Sequence, residues 1–273
     1  MILAITHLTR YRYTADVTEM QMELRLRPQS GRGQTVHLHR LVVRPETPLG
    51  RYMDGFGNEV HYFNLLPPHD WLEVVSETLV ETSTPSRPEA LDVVPADMLA
   101  FRPPVVDVAG VRRLARQARL REPESPEDVL EALQRLVGAI VRGFRYSLDV
   151  TTVSTSVDEV LQLRQGVCQD FAHLFIAAAR AMGIPCRYVS GYVYDATGEQ
   201  VVGASHAWAE AWIPQTGWSS YDPTHPGLSF DRYVRVAVGR DYRDAAPTRG
   251  VYMGSASSEL EVSVVIRPVD SVS

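Results

Sequence analysis

Cysteine is scarce in this sequence: its 273 residues include only two, at positions 168 and 186. Two cysteines are too few for the disulfide framework of a small secreted domain, and they lack the paired spacing of a zinc site. The sequence also lacks a run of basic residues and carries a net charge of −6, so no nucleic-acid partner is expected. These absences favour a protein that acts on small molecules or peptides.

The N-terminus lacks a long apolar run. Arg10 and Arg12 interrupt it before the core of a signal peptide or a membrane-spanning helix could form. We therefore expect a cytoplasmic protein without a membrane partner. A composition of 45% hydrophobic and 22% charged residues is typical of a globular chain that forms one large domain or two smaller ones.

The pattern of apolar residues divides the chain into three parts. Alternation from residue 1 to about residue 80, broken by turn formers such as DGFGN at 54–58, predicts a small N-terminal β-sandwich domain over residues 1–82. Prolines crowd residues 83–104, which predicts an extended linker. Helical spacing then begins at 108–120 and 125–144, and we expect a second, mixed domain over residues 105–273.

One short segment, RQGVCQDFAHL at 164–174, places Cys168 at the start of an apolar run. The spacing predicts a helix from Cys168 to Met182 that ends at Gly183, and its nearly continuous apolar surface predicts a buried, central helix. A thiol at a helix N-terminus faces unpaired N–H groups and the helix dipole, which stabilise a thiolate and can hold an oxyanion. Free cysteine is also a common, inert packing residue.

The helix alone is too weak to activate Cys168. A helix terminus contributes about 0.3–1 kcal/mol, less than one pKa unit, and Asp170 in the same turn opposes a thiolate. An active thiol therefore needs a cationic partner. His173 lies on the same helix and points away, and five more histidines belong to the N-terminal β region, which leaves His206 and His225.

His206 begins a predicted strand, HAWAEAWI, in which larger residues alternate with alanines. Either the alanine face packs on the Cys168 helix or the larger residues face the cleft, and the pattern leaves both open. Asp222 follows sixteen residues after His206. A hairpin loop of three or five residues would place it on the face of His206, opposite Trp208, whereas a loop of four would not. Asp222 could then orient the imidazole, although an Asp before a Pro is also a common turn residue.

The segments GVCQDFAHL, MGIPCRYVSGY, HAWAEAWIPQTGW and YDPTH together resemble the transglutaminase-like superfamily, specifically its bacterial branch of predicted cysteine peptidases. The resemblance covers residues 140–225. RYRYTADVTEMQMELRLRP and DGFGNEVHYF resemble the β domain that precedes the core in that branch. The resemblance implies an α+β, papain-like fold in which a central helix carrying the cysteine packs on an antiparallel sheet, so that residues 105–273 form the catalytic domain.

The resemblance also implies a catalytic triad: the nucleophile falls on Cys168, the histidine on His206 and the acidic residue on Asp222. In the family, a thiolate attacks a peptide or glutamine carbonyl, and water or an amine resolves the acyl-enzyme. Other candidate site residues are the oxyanion donors, Tyr146 and the backbone N–H of Cys168, and the aromatic residues of a substrate cleft, Trp208 and Tyr221. Cys186 is interpreted as a core residue.

Three functions fit these residues. The favoured one is hydrolysis of a peptide or isopeptide amide bond, with a peptide or protein as the substrate partner. The alternatives are transfer of a glutamine acyl group to an amine, which crosslinks proteins, and peptide binding without turnover. No acidic cluster has the spacing of a calcium loop, so we expect no metal ion and no other cofactor.

Overall fold

A computed structural model describes residues 1–84, 96–119, 125–195 and 205–271. The predicted linker lies partly outside these described residues, at 85–95. Within the described ranges, none of the helices has the length and hydrophobicity needed to cross a bilayer.

The N-terminal β region is built on one antiparallel sheet of seven strands. Its strands are β1 (Ile2–Leu24), β2 (Gln34–Arg44), β3 (Gly50–Met53), β4 (Glu59–Leu65), β5 (His69–Thr82), β12 (Thr248–Met253) and β13 (Ser258–Val269). The strands are neighbours in the order β2-β5-β1-β4-β3, and β12 and β13 also pair with β1.

Strand β1 belongs to both halves of this sheet. Its first half pairs with β5 and β13, and its second half pairs with β4 and β12 after a register shift between Arg12 and Val17. A bulge of this kind bends a strand and lets the sheet curl. The curled sheet encloses a core that includes Val17, Leu24 and Leu72, all with no exposed surface.

The structure corrects one expectation at the C-terminal end. The sequence assigns residues 248–271 to the second domain, but β12 and β13 pair with β1 in the N-terminal sheet. Alternation in a strand identifies its buried face but not its neighbour, so the pattern could not reveal this return. The segment between β5 and β12 therefore lies between strands of one sheet: β1 to β5 precede it in the chain, and β12 and β13 follow it.

The second part of the chain contains both helices and strands. Its helices are α1 (Ala109–Ala118), α2 (Pro126–Gly143), α3 (Val157–Leu163), α4 (Cys168–Ala181) and α5 (Tyr242–Ala245). A four-stranded antiparallel sheet in the order β10-β9-β8-β11 contains β8 (Cys186–Val193), β9 (His206–Ile213), β10 (Gly217–Tyr221) and β11 (Tyr233–Gly239), while β6 (Arg145–Tyr146) and β7 (Gln165–Gly166) form a short parallel pair.

Helix α4 is the centre of this part, as its composition predicts. Every residue from Gln169 to Arg180 is buried, and Gly183 follows in the left-handed conformation that ends many helices. The alanine face of β9 lies in the same core cluster as α4, which settles the orientation left open by the sequence. Only small side chains let a sheet approach a helix this closely, so the larger residues of β9 lie on the other face. The α+β fold predicted from the sequence is the fold observed.

Candidate active site

The turn before α4 sets the position of Cys168. The backbone N–H of Val167 donates to Asp170 Oδ2 at 2.8 Å, so the Asp170 carboxylate caps the helix that it belongs to. A Cβ at Gly166 would lie 2.6 Å from the same oxygen, which explains why glycine stands two residues before the cysteine. Cys168 is therefore the first residue of α4, and its own N–H has no partner within the helix.

The β9–β10 hairpin brings His206 and Asp222 together. Gly217 pairs with Ile213 and Tyr221 with Ala209, so the loop holds three residues, one of the two lengths that place Asp222 beside His206. His206 Nε2 donates to Asp222 Oδ2 at 2.7 Å, and both side chains are buried. The hairpin geometry derived from the spacing is confirmed.

His206 also forms a hydrogen bond with Cys168. Because Nε2 is engaged by Asp222, Nδ1 is the ring nitrogen left for the thiol. Burial lowers the pKa of His206, but its hydrogen bonds with Asp222 and Cys168 and their negative charges outweigh this effect and raise the pKa to about 10. The structure thus brings together the three residues proposed as a triad, with an imidazole that holds its proton at neutral pH.

The carboxylate of Asp222 has more partners than the sequence suggests. Besides His206, Oδ2 accepts from Tyr233 Oη at 2.8 Å and from His225 Nδ1 at 3.2 Å, while Oδ1 accepts from Thr224 N at 2.8 Å. Burial raises the pKa of Asp222, but the hydrogen bonds from His206 and His225 and the charge of His206 hold it well below its ordinary value. Asp222 is therefore a fixed anion on which three side-chain donors converge.

Two of these partners escaped the sequence reasoning in different ways. The sequence offers His225 as a candidate partner of the thiol but not as a partner of Asp222. Its position three residues after Asp222 is a signal that could have indicated this contact. Tyr233 lies on β11, which is separated from β9 in the sheet by β8. No spacing rule connects a tyrosine on that strand to an aspartate after β10, so sequence periodicity could not find it.

The burial of Trp208 and Tyr221 contradicts the prediction that they line a substrate cleft. Trp208 is only 2% exposed, and its ring stacks beneath the His206 imidazole, with centroids 6.1 Å apart. It fits there because Gly191, on the facing strand, has no Cβ; one would lie 2.7 Å from the indole. Tyr221 is 8% exposed and stacks on Phe175 at 5.1 Å. Both rings pack in the interior, where they position the site and do not line an open cleft.

Tyr146 lies beside the thiol. It forms the end of β6, pairs with Gly166 of β7 and packs edge-on against Phe171 of α4. Burial raises the pKa of its hydroxyl, and the charges of Cys168, Asp170 and Asp222 raise it further. The hydroxyl therefore stays protonated and can donate, as an oxyanion donor must. Its role, like that of the Cys168 N–H, stays a prediction.

His206, Asp222 and His225 also have the composition of a metal site, and one ligand atom from each lies within 4.8 Å of the others. The 2.7 Å contact between His206 and Asp222 is a direct hydrogen bond, in which the ring nitrogen carries the proton. We therefore interpret this group as a hydrogen-bonded network.

Comparison with known proteins accounts for both parts of the chain. Residues 115–223 match the family model described as the transglutaminase-like superfamily, and residues 3–81 match the bacterial transglutaminase-like N-terminal region. The chain belongs to the transglutaminase-like superfamily. Its bacterial N-terminal region supplies strands β1 to β5 of the curled sheet, and its transglutaminase-like core contains α4 and the β9–β10 hairpin.

Relatives of this transglutaminase-like protein include full-length and partial matches. An uncharacterised protein of Mycobacterium leprae is 37% identical over 281 residues, which cover 97% of this chain and 98% of that one. A protein-glutamine gamma-glutamyltransferase of Pseudomonas aeruginosa is 33% identical over 105 residues, 34% of this chain and 16% of that protein. Among solved structures, a candidate cysteine protease from Cytophaga hutchinsonii shares the fold, with a TM-score of 0.76 at 23% identity, over 100% of this chain and 92% of that one.

Proposed function

We propose that this protein is a thiol-dependent acyl-transfer enzyme that hydrolyses a peptide or isopeptide amide bond. The observation that carries the proposal is the continuous series of hydrogen bonds from Cys168 through His206 to Asp222. A nucleophile, a base and an orienting group in this order are the recurring arrangement of covalent acyl-transfer catalysis. Transglutaminase-like family membership supports the same chemistry.

Acylation would begin from a thiolate on Cys168 and an imidazolium on His206. Sγ attacks the carbonyl carbon of the amide, and the new S–C bond turns the carbonyl oxygen into an oxyanion. The Cys168 N–H at the start of α4 and the Tyr146 hydroxyl are the candidate donors to that oxygen. The C–N bond then breaks as the proton on His206 moves to the departing nitrogen, which leaves as an amine.

Deacylation would reverse the role of His206. The neutral imidazole takes a proton from water, and the resulting hydroxide attacks the thioester carbonyl. The S–C bond breaks, the carboxylic acid leaves, and the thiolate–imidazolium pair is restored. Asp222 stays ionised throughout and holds Nε2, so the ring keeps one orientation during both steps.

Transfer to an amine is the second candidate function. It is favoured by one observation: the Pseudomonas aeruginosa relative that matches the core is described as a protein-glutamine gamma-glutamyltransferase. Both reactions share the acyl-enzyme, and they differ only in whether water or an amine reaches the thioester.

The first test is the rate of iodoacetamide alkylation at Cys168 as a function of pH, with mass spectrometry separating it from Cys186. A thiolate paired with a histidine that keeps its proton to about pH 10 would react well below pH 7, and His206→Ala would remove that reactivity. A rate that follows an ordinary thiol, unchanged by His206→Ala, would contradict the proposal and favour a peptide-binding module.

A second measurement separates water from amine as the acceptor. The acyl group of a glutamine-containing peptide is followed in the presence of a labelled primary amine, and ammonia and the two acyl products are quantified. Hydrolysis gives the glutamate peptide, whereas transfer gives the labelled amide. The chain contains no lysine, so its own side chains cannot compete as amine acceptors.

A further inference from the structure

A loop beside the thiol carries an unusual number of exposed apolar side chains. Between residues 146 and 153, four large apolar residues are exposed: Leu148 at 65%, Val153 at 58%, Tyr146 at 49% and Val150 at 38%. Single exposed apolar residues are normal on protein surfaces, but a cluster of them along one short loop points to a binding surface. We call this group the apolar rim.

The apolar rim is fastened to the first turn of α4. Ser147 N donates to Gly166 O at 2.9 Å, Thr151 Oγ1 donates to Asp170 Oδ2 at 2.7 Å, and Gln169 Nε2 donates to Val153 O at 3.1 Å. All three anchors on the α4 side lie within two residues of Cys168. The rim is therefore held at a fixed place beside the nucleophile.

The attachment of the apolar rim to the first turn of α4 indicates which molecule would bind there. A molecule bound at the apolar rim lies next to the first turn of α4, where Cys168 is itself partly exposed. The molecule that must reach that thiol in the proposed function is the acyl part of the substrate. An apolar side chain on that part would leave water and bury the exposed surfaces of Leu148 and Val153.

We infer that the apolar rim is a substrate subsite, which selects an apolar side chain on the acyl side of the scissile amide. The inference rests on the proposed function, because it assumes that Cys168 is the nucleophile. Leu148 and Val153 would be its specificity-determining residues, since they are the most exposed of the four. Asp170 would act indirectly, by holding the rim through Thr151.

The test uses peptidyl vinyl sulfones that differ only in the side chain next to the reactive group: leucine, phenylalanine, glutamate or lysine. Sγ of Cys168 adds to the vinyl carbon β to the sulfone, and the carbon that bears the sulfonyl group takes the proton held by His206, so labelling needs no turnover. We expect the leucine and phenylalanine probes to label Cys168 at least about tenfold faster than the charged probes, the discrimination that one apolar contact can give.

Variants of the full-length protein locate the preference. Leu148→Asp and Val153→Asp should each reduce labelling by the leucine probe about tenfold. Both side chains are exposed, so neither change removes core packing, and a circular dichroism spectrum checks the fold. Leu38→Asp is the matched control: Leu38 is 59% exposed on β2, and its replacement should leave the labelling rate unchanged.

Iodoacetamide, which has no side chain to select, is the internal reference. If it alkylates Cys168 rapidly while all four vinyl sulfones label at equal rates, or if neither rim variant changes the preference, the inference is wrong and the proposed function stands. If iodoacetamide reacts only as with an ordinary thiol, the proposed function fails first, and the inference falls with it.

Discussion

A cysteine lies near a basic side chain at each end of α4, in two different environments. At the first residue of the helix, Cys168 is partly exposed and hydrogen-bonded to His206. Near the last turn, Cys186 has no exposed surface, and although the charge of Arg180 acts on it, burial raises its pKa to about 12. At Cys186 burial thus outweighs the charge of the basic neighbour, so a nearby cation does not by itself lower the pKa of a thiol.

The basic residues differ as much as the cysteines. Arg180 donates to three backbone oxygens, those of Ala100, Cys186 and Arg240, at 2.8–2.9 Å. It joins three segments of backbone. His206 instead lies between a carboxylate and a thiol and can exchange a proton with the latter. One end of the helix holds the structure, and the other carries the residues of the proposed active site.

The largest expected effect compares the two cysteines directly. Cys168→Ala should reduce kcat/KM at least about 10⁴-fold, because no other group can form the acyl-enzyme. Cys186→Ala should retain the wild-type kcat/KM and lower the free energy of unfolding by about 1–2 kcal/mol, as expected for a small buried cavity. Turnover assays and urea unfolding of both variants check this. A comparable loss of activity in the two variants would contradict the proposed difference between the two cysteines.

An intermediate effect is expected at Asp222. Asp222→Ala should reduce kcat/KM by about 10³- to 10⁴-fold, since His206 loses its orienting group and the three side-chain donors lose their acceptor. Asp222→Asn should lose less, because the amide oxygen can still accept from Nε2. Steady-state kinetics of the pair provide the measurement. An Asn variant no better than the Ala variant would show that charge, and not orientation, is what Asp222 supplies.

The smallest catalytic effect is expected at the other end. Arg180→Met should leave kcat per folded molecule unchanged while lowering the free energy of unfolding by about 2–4 kcal/mol, because one buried and two partly buried carbonyls lose a donor. Urea unfolding with active-site titration separates the two quantities. If kcat falls in the folded fraction, the two ends of α4 are coupled and cannot be treated as independent.

Several parts of this site could be predicted from the sequence because they depend on local spacing. The start of α4 at Cys168 and the face shared by His206 and Asp222 follow from helical period, strand alternation and loop length. The triad and its relation to a known family were accessible for the same reason. Such features involve residues that are adjacent along the chain or separated by one turn.

Features that depend on which elements become neighbours could not be predicted. Strand alternation predicts that Trp208 shares a face with His206. It does not predict that Trp208 is buried, because this depends on its packing against Gly191 and Tyr233. Tyr233 reaches Asp222 only because the four-stranded sheet brings β11 to it. The pairing of β13 with β1 follows the same rule: a pattern shows that a strand has a partner but not which one.

That last pairing has a consequence for how the protein folds. Tyr13 lies opposite Ser258, and Ile5 opposite Ile266, so these contacts join residues almost a whole chain length apart. Such pairings form slowly, because the entropy of closing a long loop must be overcome before the contacts compensate for it. The thiol helix lies inside that loop. Because β13 follows the candidate site along the chain, every residue of that site is synthesised before the sheet that supports it can be completed.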